Sequence, residues 1–333
     1  MSDDRPIRTG TVTLTDVARE ADVAISTVSR ALSNPDRVSR ATREHVQDVA
    51  RRLGYQVNRP TGRAQLLALL IHDVTNPHNF ALIRGVEAQA RAAGYTLVLC
   101  HTEQSAELEA TQADRLRSTV DGLMLAASRL SDEQLAGLAR RTPTVLFNRQ
   151  LAGFAGVVLD PADGGRQIVE HLHALGHRRI AYLAGPRTAW MNEERWRALS
   201  GTGKDLGVEI IRLGPFLPTL EQGVAAADVG VASGASALVA FNDMMAIGAL
   251  QRLARRGISV PDEISVVGFD DIFGADFCHP PLSTVSAPVE EAGRLLVDQM
   301  LTVLAGSAGT QLILPSELRI RESTGPAPDA RST

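Results

Sequence analysis

Residues 21–32 read ADVAISTVSRAL. The stretch has one acid, Asp22, one base, Arg30, and neither Gly nor Pro. Val28, Ala31 and Leu32 can turn to one face of a short helix, leaving Ile25, Ser26, Ser29 and Arg30 on the other. Upstream, Leu14 to Ala21 reads as a helix, with Thr13 as N-cap and Asp16 three residues later, as in a capping box. Downstream, a third helix starts after the good N-cap Ser39 and stops at the good C-cap Gly54. Its Val46, Val49, Ala50 and Leu53 have the spacing of one buried face. Two helices joined by a tight turn at Asp22–Val23 make a helix-turn-helix. The second helix of such a unit enters the major groove and offers its N-terminal residues to base edges. Spacing alone leaves open both a DNA-binding head and a small solvated bundle.

Charge is divided unevenly along the chain. Residues 1–63 hold eleven Arg against eight acidic residues, whereas the remainder holds 23 basic against 30 acidic. That split fits a small anion-binding head on an acidic body. The 333 residues are 44% hydrophobic and 22% charged, as in a soluble globular protein of two or three domains. MSDDRPIRTG lacks the apolar segment of a signal peptide, and no apolar run approaches the roughly 18 residues of a membrane span. A cytoplasmic protein with no membrane partner is expected. Cys100 and Cys278 make neither a disulfide framework nor a metal motif, and are expected to be reduced and mostly buried.

After the linker VNRPTGRAQ, broken by Pro60 and Gly62, the pattern changes. Apolar strands alternate with amphipathic helices: LLALLIHD, a helix Phe80–Ala93, then YTLVLCHT. GLMLAAS and TPTVLFNR flank another helix. A helix Gln167–Leu175 precedes RRIAYLAG, and a helix Ala246–Arg256 separates ALVAFND from ISVVGFDD. Fully apolar strands between helices mean parallel sheets covered on both faces. The body is long enough for two such sheets, but the periodicity does not show where they divide.

Enzyme motifs are wanting. GSAGTQ lacks the Lys-Ser/Thr of a phosphate loop. In HLHALGH, His173 and His177 are i, i+4 but have no Glu in zincin register and no third partner. With His171 they read as surface and helix-end residues. No Ser or Cys nucleophile motif stands out. No metal and no cofactor is expected, and the chain does not read as an enzyme.

Residues Val12 to Tyr55, with T-x-x-D-V-A, A-x-V-A-x-S-T-V-S-R-x-L and a closing L-G-Y, resemble the headpiece of the lac repressor family. The likeness continues in VTNP, GGRQIVEHLHALGHRRIAYLAGP, AFNDMMAIGAL, VPDEISVVGFDD and PPLSTV. It implies a small all-α helix-turn-helix head plus an α/β body of two doubly wound parallel-sheet lobes, similar to periplasmic sugar-binding proteins. The implied domains are a head at 1–57, a hinge at 58–65, a body at 66–325 that binds effector and dimerises, and a disordered tail at 326–333.

By position in that family, Ile25, Ser26 and Arg30 are the implied base readers. Thr13, Thr27, Ser29, Ser39, Thr42, Tyr55 and Asn58 match positions on the phosphate backbone. Ala24 stands where the family often has a capping Ser. The hinge departs further: NRP runs straight into TGR, without the Leu that such proteins wedge into the minor groove. Inward from the lobes, Asp73, Asn76, Phe80, Asp160, Asp163, Trp190, Asn192, Arg195, Asn242 and Asp270 are the implied effector residues. Arg195, Asn242 and Asp270 are the firmest, and Trp190 offers a stacking face. Ligand crevices of open α/β sheets lie at the carboxyl ends of strands, where Asn242 and Asp270 stand.

The resemblance implies a transcription regulator, a repressor, that binds a near-palindromic operator on double-stranded DNA as a homodimer. Its effector would be a small molecule, a carbohydrate or derivative. A nucleobase or nucleoside effector, or a cytosolic sugar-binding protein with impaired DNA binding, stays open. The tail GPAPDARST has no Leu heptads, which argues against a tetramerising coil.

Overall fold

The computed structural model describes residues 14–25, 27, 28, 31, 38–53 and 64–328. The chain forms two compact units, Met1–Gly62 and Arg63–Thr333. In the first, α1 is Leu14–Glu20 and α2 is Arg40–Arg52. Between them Ile25, Thr27, Val28 and Ala31 are helical. The turn after α1 closes through Val23 N–H donating to the Ala18 carbonyl at 3.1 Å, with Asp22 left-handed at φ 51°. Ser39 Oγ accepts from Thr42 N–H at 3.2 Å and so caps α2. Val17, Ala18, Ala21, Val28, Ala31, Val46, Val49 and Ala50 form the core. Each of these eight is small, so the unit buries little apolar area and has little stability to lose. The expected cap Thr13 and stop Gly54 lie outside the described residues.

The second unit holds two six-stranded sheets. Strands β1 Leu66–Ile71, β2 Thr96–His101, β3 Gly122–Ala126, β4 Thr144–Phe147 and β5 Gly156–Leu159 pair in parallel, with β11 Gln311–Leu314 added at the edge. Their order is β11-β5-β4-β3-β1-β2. The other sheet runs β12-β10-β9-β8-β6-β7, from β6 Arg179–Leu183, β7 Glu209–Leu213, β8 Ala237–Ala240, β9 Ser265–Phe269, β10 Ser283–Ser286 and β12 Glu317–Arg319. Only the β10–β12 pairing in it is antiparallel.

The chain passes between the lobes three times: after β5, after β10 and after β11. Each lobe is therefore built from separated stretches of sequence. That is why periodicity along the chain could not show the division. Burial of β1 on both faces explains its unbroken apolar run: Leu67, Leu69 and Ile71 join one core, Ala68 and Leu70 the other.

The helices are α3 His78–Ala92, α4 Ala106–Leu116, α5 Asp132–Ala139, α6 Pro161–Ala174, α7 Trp190–Leu206, α8 Leu220–Ala232, α9 Asp243–Arg255 and α10 Val289–Leu304. Helix α6 starts six residues before the expected Gln167. Pro161 occupies its first turn, where a missing N–H costs nothing, and Asp160 caps it. Gly164 and Gly165, which look like breakers in the sequence, are close-packing positions. A Cβ there would come within 2.8 Å of Val285 Cγ1 and 2.6 Å of Ala198 Cβ. Helix α3 crosses α10 as tightly, since a Cβ on Gly85 would stand 2.0 Å from the Glu290 carbonyl oxygen.

Two expectations need correction. His177 is a core residue, fully buried, rather than a surface one. Its ring lies 2.8 Å from Ser236 Oγ, 3.1 Å from Ser265 Oγ and 3.1 Å from the Gly325 carbonyl. The segment 323–327 folds back over it, a contact that no local pattern announces. Cys100 and Cys278 are free but half-buried. Among the described residues no helix is long and apolar enough to cross a membrane, and no cluster of His, Cys, Asp or Glu could hold a metal.

Candidate functional site

The carboxyl ends of β1, β3 and β4 face those of β8 and β9 across a cleft between the lobes. His72 follows β1, Arg129 lies just beyond β3 and Asn148 follows β4. From the opposite wall come Phe241 and Asn242 after β8, Asp270 after β9, and Ala189, Met191 and Arg195 from the start of α7. Asn76 and His78 at the start of α3 complete it.

Arg195 is the centre of the far wall. One terminal nitrogen, Nη2, donates to Asp270 Oδ1 at 2.9 Å, and Nη1 donates to the Phe241 carbonyl. The guanidinium carbon lies 4.2 Å from the ring centre of Phe269 and 4.9 Å from that of Phe241. Both partners of the pair are about nine-tenths buried, so the attraction is little screened. Asp270 takes an unusual backbone position, φ 106°, followed by Asp271 at φ 47°. That strain is held from behind. Asp271 pairs with Arg321 at 2.7 Å and Arg319 at 3.3 Å, and Ile272 N–H donates to Asp243 Oδ2 at 2.9 Å. Asp243 is fully buried, and desolvation pushes its carboxyl well above the usual range.

From the near wall, His78 Nδ1 stands 3.9 Å from the same Asp270 oxygen, and its ring stacks on Phe147. Burial, and then the Arg129 charge, lower the His72 pKa to about 4. Its ring is therefore neutral at pH 7, and Nδ1 is sealed from solvent without a hydrogen-bond partner. The free volume beside these groups is about 40 Å³, with about 20 Å³ more on the other side of Arg195. A pocket for a small molecule needs several hundred Å³. The lobes thus stand closed, and a ligand needs them to part.

Of the ten residues expected to face effector, Asn76, Arg195, Asn242 and Asp270 line this cleft. Asn76 Oδ1 also accepts from His78 N–H at 3.0 Å, and Asn242 Oδ1 accepts from Met245 N–H at 3.1 Å and so caps α9. Asp160 borders the smaller chamber, but its Oδ1 is taken by Ala162 N–H at 2.9 Å and Asp163 N–H at 3.2 Å.

The other five stand elsewhere. Asp73 closes its own turn onto Thr75. Asp163 pairs with Arg166 and Gln167 along α6. Asn192 is fully buried, accepting from Tyr182 Oη at 3.0 Å and Gly185 N–H at 2.8 Å. Trp190 packs against the lobe core, and its neighbour Met191 faces the cleft instead. Phe80 is half exposed on an outer groove with Phe273. Residues His72, Arg129, Asn148, Met191 and Phe241 were not singled out in the sequence. His72, Arg129 and Asn148 each follow an apolar strand within a few residues, a signal that could have found them.

In the head, Ile25 is half exposed while Val28 and Ala31 are buried, the orientation expected of a reading helix. Ser39 and Thr42 hydroxyls lie 2.8 Å apart, both accessible, and Thr27 is half-buried. Ser26, Ser29, Arg30, Thr13, Tyr55 and Asn58, and the shortened hinge, lie outside the described residues.

A helical head joined in one chain to a two-lobed α/β body with a polar cleft is the layout of a DNA-binding regulator built on a binding-protein fold. Residues 13–58 match the family described as bacterial regulatory proteins, lacI family, and residues 169–324 match a periplasmic binding protein-like domain. The chain is 34% identical over 336 residues to the HTH-type transcriptional repressor CytR of Escherichia coli (strain K12), covering 95% of this chain and 97% of that one. It is 31% identical to the HTH-type transcriptional regulator CelR of Thermobifida fusca, over 93% and 98%. A solved CelR–cellobiose complex superposes with a TM-score of 0.71 at 31% identity, covering 94% of this chain and 99% of that. The lac repressor dimer bound to operator and the anti-inducer ONPF gives 0.74 at 26% identity, over 95% and 100%. The chain belongs to the lacI family of bacterial regulatory proteins: a DNA-binding transcription regulator, not an enzyme.

Proposed function

We propose that this regulator is a repressor that binds a near-palindromic operator as a homodimer and is controlled by a sugar or sugar derivative held between the lobes. The observation that carries the effector reading is the buried Arg195–Asp270 pair, met from the other lobe by His78. A planar guanidinium beside a carboxylate can donate to and accept from adjacent hydroxyls, which is what a polyol offers. A ligand that binds the closed and open lobes unequally shifts the balance between them, and thereby DNA affinity.

Ile25, Ser26 and Arg30 are the proposed base readers. Thr13, Thr27, Ser29, Ser39, Thr42, Tyr55 and Asn58 hold phosphates. Exposed Phe80, Phe273 and Phe277 offer an apolar face for the second copy. The apolar side of α9 is not free for that role, because Met245, Ala246, Ala249, Leu250 and Leu253 are buried within the lobe.

The test is Arg195→Ala. Operator binding is expected to persist while release or recruitment by every effector is lost. A retained response removes Arg195 from the effector site.

A further inference from the structure

The cleft carries more positive charge than it neutralises. Its titratable lining is His72, His78, Arg129, Arg195 and Asp270. Asp270 is taken by Arg195. Arg129 is 7% exposed, and its Nη1 and Nη2 donate to uncharged oxygens, the Ala127 carbonyl at 3.0 Å and Gln104 Oε1 at 2.9 Å. Its Nε–H is sealed from solvent with no partner. The nearest counter-charge on its own lobe, Glu109, spends Oε2 on the Arg129 backbone N–H at 2.8 Å rather than on the guanidinium, and burial pushes that carboxyl upward. Arg149, also close by, adds positive charge and is itself paired with Asp132.

Burial lowers the Arg129 pKa to about 10. A buried guanidinium without an ion pair is costly and persists where something else rewards it. Nη1 and Nη2 hold the two loops at Ala127 and Gln104, and neither they nor Nε meet a carboxylate.

We propose that the effector carries an anionic oxygen group, a carboxylate or a phosphate, and that Arg129 is its seat, with Arg195 and Asp270 holding hydroxyls on the other wall. This rests on the reading of the cleft as the effector site. Charge on the ligand would give the Arg129 side chain the direct ion pair that its present partners do not. Charge-assisted hydrogen bonds to a buried guanidinium are among the strong ones, so an acidic ligand gains roughly tenfold or more over its neutral counterpart.

The test titrates the full-length protein at fixed ionic strength with D-gluconate, D-glucuronate and D-glucose 6-phosphate, against uncharged D-glucitol and D-glucose. Calorimetric Kd and the rise of the thermal midpoint are the readouts. At least one acid is expected to bind tenfold or more tighter than its neutral counterpart, and which acid does so separates carboxylate from phosphate. Arg129→Gln is expected to erase the difference and Arg129→Lys to keep part of it. The ligand-free midpoint shows whether each variant folds. Should Arg129→Gln not fold, Arg129→Lys carries the test, and wild-type affinity for the acid in it overturns the proposal. Equal binding of acid and neutral sugar, or no binding of any acid, overturns it as well. A neutral sugar whose binding Asp270→Asn abolishes would keep the cleft as effector site and remove only the anion. An acid bound regardless of both Asp270→Asn and Arg129→Gln would remove both.

Discussion

Asp270 Oδ1 accepts from Arg195 Nη2 at 2.9 Å and stands 3.9 Å from His78 Nδ1, so one carboxylate oxygen is bonded within its own lobe and approached, without a hydrogen bond, from the other. Arg195 and Asp270 belong to the same lobe, whereas His78 comes from the other. Parting the lobes would separate His78 from Asp270 and leave the Arg195 pair intact. The pair is therefore a fixed feature of one wall, and the histidine is the part that moves relative to it.

Removing Asp270 leaves the Arg195 charge buried and unpaired. Asp270→Ala is expected to destabilise the body by about 3 kcal/mol, the usual cost of breaking a buried pair from one side. Denaturant unfolding of the variant checks this. A loss near zero would mean that water reaches Arg195 and that the pair is not buried in solution.

His72 makes a pH-dependent contribution. Its folded pKa, lowered to about 4, lies below the ordinary imidazole value of about 6.5. The folded state favours the neutral ring, so this stability is full above about pH 6.5. It is lost as pH falls toward 4 and does not change further below that. The shift corresponds to about 3 kcal/mol at its limit. Half-buried His171 and buried His177, also lowered, act in the same direction. The His72 part is isolated by comparing unfolding of wild type and His72→Gln from pH 7.5 to 4, and the variant is expected to lose less stability on acidification.

The head should fail before the body. Val46 is fully buried in a core of eight small residues. Val46→Ala removes two methyl groups, worth about 1–2 kcal/mol, from a unit with little to spare. A thermal scan is expected to show an early loss of head helicity with the body transition unmoved, and operator affinity is expected to fall. A single coincident transition would show that the head does not melt on its own.

Helix α3 is pressed against α10 at Gly85. Gly85→Ala raises helix propensity but sets a methyl group against the backbone at Glu290, which cannot swing aside. Overpacking of this kind costs about 1–3 kcal/mol, so a net loss of stability is expected by urea unfolding. A gain would mean that the two helices separate easily.

The sequence made much of this legible. Period-3.6 spacing at Val46, Val49, Ala50 and Leu53 gave the third head helix, and the unbroken LLALLI gave a strand buried on both faces. Strand-end position and family likeness together singled out Asn76, Arg195, Asn242 and Asp270, which line the cleft. What escaped depends on distant parts of the chain. His177 is buried by residues 323–327, and the lobe division follows three crossings that lie far apart in sequence. Trp190 and Met191 are adjacent, and their assignment to core and cleft is set by the rotation of α7, which local pattern leaves free. Phe80 is implied as an effector residue by family position alone, and in the structure α3 starts at His78 and turns Phe80 to an outer groove.

The account stands most directly on DNA recognition. Binding of the full-length protein to the duplex upstream of its own gene should be measured against random duplex of equal length, at one fixed salt concentration. A preference of roughly 10³-fold or more is expected for a specific regulator. Equal affinity for both duplexes, with the same steep salt dependence, would contradict specific operator binding and leave only phosphate attraction.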